Sequence, residues 1–251
     1  MILGYIVYIT MTKVYLDNNV LVDIEYGKYN LSDFLSSNSV QYYFSPSHIE
    51  ELIEGEHLKQ LSKSNRLSLI EQLAKINYIQ PGFPLPTICK KRPQEVYEIE
   101  STPITRFFRL RANHSAADFM VDRDIFLGIL KRRKIDMNNI PPQNILEELD
   151  KALLANIGMD ITTYLYKTDA IGRSAFGTLF NLLDFACYYK DKQTLHSNIA
   201  RMHDASHAYY AQLCDYFVSQ DKRMRYKTAA VYSYLGIKTI ILSTPDYLRR
   251  F

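Results

Sequence analysis

Three aspartates stand where the sequence pattern passes from strand to loop or from loop to helix. Asp17 follows the β-prone residues 13–16, Asp221 follows the β-prone residues 216–219, and Asp204 is expected to open the helix that leads into that second strand. Open parallel α/β sheets gather ligands at the carboxyl ends of their strands. We therefore expect these carboxylates at one edge of a sheet, where oxygen ligands suit a hard divalent cation such as Mg²⁺ or Mn²⁺.

The elements that must position these acids alternate between strand and helix at both ends of the chain. Residues 13–16 and 41–44 are each followed by a helical pattern. Near the other end, a helix over residues 223–235 should end at Gly236 and lead into a strand over residues 237–241. Such alternation predicts an α/β fold with a central, mainly parallel sheet of four or five strands flanked by helices.

The middle of the chain, residues 58–196, is predicted to be a mainly helical insertion within one domain that spans residues 1–251. Residues 81–103 contain five prolines and are expected to form an irregular connection or a wrap across the surface. Helices are expected around this connection, at residues 65–79, 115–133, 143–166 and 173–189.

Composition is typical of a soluble protein, with 47% hydrophobic and 23% charged residues. The net charge of +3 permits a nucleic-acid partner without requiring one. Three cysteines without CxxC spacing indicate reduced thiols and a cytoplasmic setting. Residues 2–9 are apolar but lack preceding basic residues and are too short to span a bilayer, so we expect neither a signal peptide nor a membrane partner. This segment could form an additional edge strand, or it could lie ahead of a natural translation start at Met11.

The first part of the chain resembles the PIN-domain nucleases, a family that includes the toxin ribonucleases of bacterial toxin–antitoxin pairs. Residues 15–21, YLDNNVL, look like the family's first strand and its acid. Residues 45–55, SPSHIEELIEG, are similar to the second motif, with the acid at Glu51 and not at Glu50. The helix of this segment carries Glu50, Glu51, Glu54 and Glu56, and most of these glutamates are expected on a solvated surface.

The last part of the chain continues the resemblance. Residues 204–207 and 215–221 look like the third and fourth motifs, and residues 236–248 resemble the closing strand. The match covers residues 13–57 and 197–251, and the helical block between them is much larger than in compact members of the family. The resemblance implies a PIN-like three-layer α/β/α fold.

The resemblance also implies the chemistry. A metal-activated water would attack an RNA phosphodiester, with Mg²⁺ or Mn²⁺ stabilising the charge on the oxygens. Supporting roles are expected for Asn19 and Ser219 in orienting a carboxylate, although ordinary turn and strand-end roles fit them equally. Lys222 and Arg223 adjoin an acid and are candidates for binding phosphates. The acids assigned to catalysis and to the metal are Asp17, Glu51, Asp204 and Asp221.

Asp215 is not assigned to the site. It begins the strand that Asp221 follows, so the two acids should lie more than about 10 Å apart. The tyrosines, among them Tyr42, Tyr43, Tyr209 and Tyr210, could stack on bases, but packing in the core is the favoured interpretation.

Two other catalytic motifs match the sequence only in part. His203 and His207 flank Asp204 as in the HExxH zinc motif, but the acid is shorter and no third ligand is indicated. The loop at Asp17 has Asn19 where an aspartyl phosphotransferase needs a second aspartate.

The predicted function is thus a metal-dependent endoribonuclease with single-stranded RNA as the favoured substrate. A toxin, a phage-defence effector and an RNA-processing enzyme all fit this prediction. An antitoxin or another protein partner and a homodimer are both compatible with the sequence. Two alternatives stay open: a PIN-like binding or scaffold module with little or no nuclease activity, and a nuclease directed at DNA.

Overall fold

A computed structural model of the protein describes residues 11–57, 62–105, 128, 137–190 and 195–251. Its centre is a parallel four-stranded sheet in the order β2-β1-β5-β6. A separate antiparallel pair is formed by β3 and β4. The strands are β1 (Thr12–Leu16), β2 (Val40–Tyr43), β3 (Asn77–Gln80), β4 (Thr87–Lys90), β5 (Tyr216–Val218) and β6 (Ile240–Leu242).

Helices surround this sheet along the described parts of the chain, and one short 3₁₀ turn spans Met137–Asn139. In chain order the helices are α1 (Asn18–Glu25), α2 (Leu31–Leu35), α3 (Pro46–His57), α4 (Lys63–Ala74), α5 (Pro93–Glu100), α6 (Pro142–Ile157), α7 (Ile161–Lys167), α8 (Arg173–Phe185), α9 (Leu195–Ala211), α10 (Lys222–Leu235) and α11 (Thr244–Leu248).

Both faces of the parallel sheet are buried, as side chains that alternate along β1 show. Tyr15 belongs to a core cluster with buried residues of α6, α8, α9 and α10. Val14 and Leu16 belong to a second cluster with buried residues of α1, α3, α4 and α11. Since successive side chains of a strand point to opposite faces, helices cover both sides of the sheet. The predicted α/β class with a central parallel sheet is confirmed, and the layering fits a three-layer α/β/α fold.

The prediction of an irregular connection at residues 81–103 is wrong. This segment contains β4 and α5, and β4 pairs with β3 so that Asn77 lies opposite Lys90. The hairpin also meets β2, since Phe44 N donates to Asn77 O at 3.1 Å and Ile79 N donates to Phe44 O at 2.8 Å. The strands β3 and β4 pair with each other over only 7 to 13 residues, and Pro81, Pro84 and Pro86 lie in the loop between them, so the proline content described the loop and hid the flanking strands.

Helix boundaries in the insertion also differ from the prediction. The pattern at 65–79 gives α4 and then β3, because the chain leaves the helix at Ala74. The single helix predicted at 143–166 is two helices, since Gly158 adopts a left-handed φ of 66° after α6 and Asp160 caps α7 by accepting a hydrogen bond from Thr163 N at 2.6 Å.

Three other predicted segments have mixed outcomes. The helix predicted at residues 173–189 ends earlier, at Phe185, while Gly236 ends α10 as predicted. The closing strand is shorter than predicted and covers Ile240–Leu242. The helix predicted at residues 115–133 lies outside the described residues, apart from the single position 128. In the described ranges, no helix has both the length and the apolar character needed to cross a membrane.

Candidate functional site

Asp17 lies at the carboxyl end of the central strand β1, where it also caps α1. Its backbone N–H donates to Val218 O of β5 at 2.8 Å, and its Oδ1 accepts from Asn18 N at 2.8 Å. Its Oδ2 accepts from Ser219 Oγ at 2.7 Å and from the side-chain amide of Asn19. The carboxylate is only 4% exposed. Both side chains that were predicted to orient an acid therefore contact Asp17.

Glu51 reaches the same edge of the sheet from α3. Its Oε1 lies 2.7 Å from His207 Nε2, and its Oε2 accepts from the side-chain amide of Asn18. The amide oxygen of Asn18 in turn accepts from Arg66. Arg66 is fully buried and donates to both carboxylate oxygens of Glu25, at 2.7 and 2.6 Å. A continuous chain of contacts from α4 and α1 thus fixes the position of Glu51.

His207 is the residue that joins the two acids, and the sequence interpretation did not include it in the site. Its Nε2 lies 2.7 Å from Glu51 Oε1 and 3.9 Å from Asp17 Oδ1. Its Nδ1 lies 2.8 Å from Tyr15 Oη. The side chain is completely buried. In the sequence, His207 stands out only as a partner of His203 in a zinc-like motif. Its position one helical turn after Asp204 is the signal that could have placed it at the site.

Buried hydrogen bonds continue from His207 into the sheet. Tyr15 Oη lies 2.6 Å from Ser45 Oγ. Ser45 N donates to His48 Nδ1 at 3.1 Å, so His48 Nε2 carries the proton that it donates to Leu16 O at 2.8 Å. Burial, and next the charge of His207, lower the pKa of His48 to about 3. His48 is therefore a neutral structural group that fastens α3 to β1.

The two acids differ in their titration because their surroundings differ. Burial raises the pKa of Asp17; the charge of Glu51 adds to the increase, while His207 and Ser219 oppose it. Burial would also raise the pKa of Glu51, but the charge and hydrogen bond of His207, with the amide of Asn18, lower it to about 2. Glu51 is consequently ionised at neutral pH, and its negative charge lies beside the buried Asp17.

Asp204 does not open a helix, and that part of the sequence interpretation is wrong. The helix α9 begins at Leu195, which places Asp204 in its interior, partly buried and one turn before His207. The weak helix-start signal at Asp204 was outweighed by the packing of α9 on α8 and the sheet.

Asp221 lies on the same edge as Asp17 but serves as the N-cap of α10. Its Oδ1 accepts from Arg223 N at 2.7 Å and from Met224 N at 3.4 Å, and its own N–H donates to Ser219 Oγ at 3.2 Å. Among the residues that the structure describes, no three His, Cys, Asp or Glu side chains are arranged to hold a metal ion. Asp17 and Glu51, two of the four predicted acids, are joined by their contacts with the imidazole of His207.

The glutamates of α3 are not a solvated surface, in contrast to the prediction. Glu50 is buried and accepts from the Arg173 guanidinium at 2.9 and 3.4 Å. Glu54 Oε2 lies 2.9 Å from His203 Nε2. Burial alone would lower the pKa of His203, but the hydrogen bond to Glu54 and the surrounding carboxylates raise it to about 9. Cations from α8 and α9 thus neutralise the acidic face of α3. The side chain of Glu56 lies outside the described residues.

The predicted phosphate-binding residues lie at the start of α10 and are exposed. Lys222 Nζ lies over the rings of Tyr189 and Tyr226, 5.8 and 5.5 Å from their centroids. Arg223 Nε lies 3.8 Å from Asp221 Oδ1.

Asp215 lies away from this edge, and the four tyrosines named in the sequence analysis are packed in the core, both as predicted. Asp215 Oδ2 accepts from Lys13 N at 2.8 Å, at the opposite end of β1 and β5. All four tyrosines are buried, namely Tyr42, Tyr43, Tyr209 and Tyr210.

Comparison of the chain with protein-family models, with curated proteins and with solved structures finds no match. What this edge of the sheet can do chemically therefore follows from its own residues. Two carboxylates converge on one imidazole nitrogen of His207, and a serine and an asparagine orient one of them.

Proposed function

We propose that the protein is a PIN-type endoribonuclease that hydrolyses RNA phosphodiesters with Mg²⁺ or Mn²⁺, and that Asp17 and Glu51 are the centre of its metal site. The observation that supports this proposal is the convergence of Asp17 Oδ1 and Glu51 Oε1 on His207 Nε2, at 3.9 and 2.7 Å. This point lies at the carboxyl edge of a parallel sheet, where α/β proteins bind ligands.

The donor set of Asp17 and Glu51 suits a hard cation. A carboxylate oxygen has two lone pairs, and Asp17 Oδ2 uses both, in its bonds with Ser219 and Asn19. The described contacts give Asp17 Oδ1 and each oxygen of Glu51 one hydrogen bond apiece. Each acid therefore keeps an oxygen that can coordinate Mg²⁺ or Mn²⁺. Asp204 and Asp221 are the proposed further ligands, and Asp221 shares Ser219 with Asp17.

A bound divalent ion would lower the pKa of a bound water and stabilise the charge that develops on the phosphodiester oxygens. The protein's own residues supply the positioning. Ser219 and Asn19 hold the Asp17 carboxylate in one orientation, and Asn18 holds that of Glu51. Lys222 is proposed to attract the substrate backbone, because exposed cations beside a site bind phosphates.

The second candidate function is a PIN-like binding module without turnover. It is favoured by the contact of His207 Nε2 with Glu51 Oε1 at 2.7 Å, which engages an oxygen that a metal would need. It is also favoured by the absence, among the described residues, of three His, Cys, Asp or Glu side chains arranged to hold a metal ion. In this alternative His207 stays bound to Glu51, and the insertion at residues 58–196 would bind a partner protein.

A cleavage assay separates these candidates. Single-stranded RNA and DNA are incubated with Mn²⁺ and with wild type, Asp17→Asn, Glu51→Gln or the control Asp215→Asn, which alters an acid at the opposite end of the sheet. We expect RNA cleavage that falls on the order of 100-fold or more in the first two variants, since metal stabilisation is worth several kcal/mol. Asp215→Asn should retain activity. No cleavage of either substrate by wild type would favour the binding module, and cleavage of DNA alone would replace RNA as the substrate.

A further inference from the structure

Two tyrosines and a lysine form a cluster beside Asp221. Lys222 begins α10, and its Nζ lies 5.5 Å from the ring centroid of Tyr226 and 5.8 Å from that of Tyr189. The two rings lie 4.3 Å apart and are tilted by 32°. Both tyrosines are partly exposed and Lys222 is exposed. Lys222, Tyr189 and Tyr226 are named the rim platform below.

The backbone at Tyr189 is in an unfavourable conformation that holds its ring in this cluster. Its φ is 44°, and that of Cys187 is 62°. Residues other than glycine seldom adopt such angles, and they persist where the surroundings enforce them, often at ligand sites. Here the Tyr189 N–H donates to Asn138 Oδ1 at 2.6 Å, which ties the strained segment to the turn at Met137–Asn139.

The rim platform is next to the proposed metal site, because Lys222 directly follows Asp221 in the sequence. Asp221 N donates to Ser219 Oγ at 3.2 Å, and the same hydroxyl donates to Asp17 Oδ2 at 2.7 Å. Tyr226 lies five residues after Asp221 in sequence, which corresponds to about 7.5 Å along α10. One nucleic-acid strand could therefore contact the acids and the platform together.

We infer that the rim platform binds an unpaired nucleobase of single-stranded RNA, with Lys222 neutralising a neighbouring phosphate; this inference rests on the proposed nuclease function. Aromatic faces stack on bases of any sequence, and adjacent cations bind the backbone, so the combination suits a single strand. Bases inside a duplex are already stacked and paired and would be excluded.

The test measures RNA binding without turnover. A labelled single-stranded RNA of about 12 nucleotides is titrated in a fluorescence-anisotropy assay with Asp17→Asn protein, alone and combined with Tyr226→Leu or Tyr226→Phe. Tyr166→Leu, which removes an exposed tyrosine of α7, is the control. We expect Tyr226→Leu to weaken binding roughly 5- to 30-fold, and Tyr226→Phe and Tyr166→Leu to change it less than about twofold because the stacking ring is retained or was never involved.

Two further probes make the result specific to a base. An abasic strand of equal length keeps its phosphates, so it should bind more weakly and should not distinguish Tyr226→Leu from Tyr226→Phe. RNA containing 4-thiouridine should photo-crosslink to peptides that contain Tyr189 or Tyr226. The crosslinking experiment needs no substitution of Tyr189 or Tyr226, so it tests base binding at the rim platform even if Tyr226→Leu does not fold.

Equal affinity of the Leu and Phe variants, undiminished binding of the abasic strand, or crosslinks confined to other peptides would overturn the inference. The proposed nuclease function fails separately. If wild type with Mn²⁺ does not cut RNA but Tyr226→Leu binds RNA more weakly than Tyr226→Phe does, the platform is retained and nuclease activity is rejected. If wild type cuts RNA and Tyr226→Leu binds normally, the platform alone is rejected.

Discussion

His207 Nε2, which is buried, lies 2.7 Å from Oε1 of the partly exposed Glu51. This contact joins α9 to α3 above the end of β1 and holds the pKa of Glu51 at about 2 against the effect of burial. Asp17 lies 3.9 Å from the same nitrogen. One imidazole therefore holds together two carboxylates that would otherwise repel each other, and a divalent cation could perform the same electrostatic role.

His207→Gln should lower the free energy of unfolding by roughly 1–3 kcal/mol, because it removes a buried partner of Glu51. If Asp17 and Glu51 form a metal site, millimolar Mn²⁺ should restore much of this loss by binding the folded state. Urea unfolding with and without Mn²⁺ measures both effects.

The matched control for His207→Gln is His203→Gln, the same change on the same helix. It removes the contact with Glu54 at 2.9 Å and should be destabilising without rescue by Mn²⁺. Equal rescue of both variants, or of neither, would count against a metal site at Asp17 and Glu51.

Arg66→Met should destabilise the protein by about 3–5 kcal/mol, because it leaves Glu25 without its buried cation. It should also reduce any cleavage activity, since Arg66 holds Asn18 against Glu51. Asn65→Met, at an exposed position of the same helix, should change stability by no more than about 0.5 kcal/mol.

A double variant isolates the charge effect at Arg66. Adding Glu25→Leu to Arg66→Met removes both partners and should recover part of the lost stability. A double variant that is less stable than Arg66→Met alone would show that the cost does not come from the unpaired carboxylate.

His48 should make stability depend on pH below neutrality. Its pKa is about 3 in the folded protein, below the ordinary value of 6.5, so unfolding takes up a proton between these values. The contribution of His48 is present above pH 6.5 and is lost as the pH falls toward 3, at up to about 1.4 kcal/mol per pH unit. His48→Gln keeps an amide that can donate to Leu16 O but removes the titrating group. Between about pH 6 and 4, the middle of this window, the variant should therefore lose about 1.4 kcal/mol per pH unit from the slope of its unfolding free energy against pH, which corresponds to one proton. An unchanged slope would rule out a buried neutral His48.

Ser219→Ala should weaken metal binding and cleavage by about 10- to 100-fold, as expected when a side chain that orients a ligand is removed. The variant loses the bond to Asp17 Oδ2 at 2.7 Å and the acceptor of Asp221 N. Ser206→Ala, which removes a buried serine bonded to Arg173, is the control and should leave metal affinity unchanged. Calorimetric titration with Mn²⁺ makes the comparison, and equal affinities for the two variants would contradict the role given to Ser219.

The parts of the fold and site that local sequence determines were predictable. Asp17 and Ser219 each lie at or beyond the end of a β-prone run, and parallel pairing of those runs brings the two side chains together. The alternation of strands and helices at both ends of the chain likewise indicated the parallel sheet. The resemblance placed the second acid at Glu51, and the structure brings it to the same edge.

What local sequence does not determine is which distant partner neutralises a polar group. Tyr15 and His207 are 192 positions apart and meet only because β1 and α9 pack together. Glu50 looked like a surface acid because its cation, Arg173, lies 123 positions away on α8. The antiparallel pair β3–β4 was missed for a different reason, since it is a local hairpin whose prolines lie in the loop between the strands and made the whole segment look irregular.

The most direct test of the account is to locate Mn²⁺ by anomalous diffraction in crystals of wild type and of Asp204→Asn. The account predicts an ion coordinated by Asp17 and Glu51 in wild type, with weaker occupancy when Asp204 is replaced. If at millimolar Mn²⁺ the position is empty and His207 Nε2 still contacts Glu51, the acids are a structural pair and the metal-dependent nuclease is wrong.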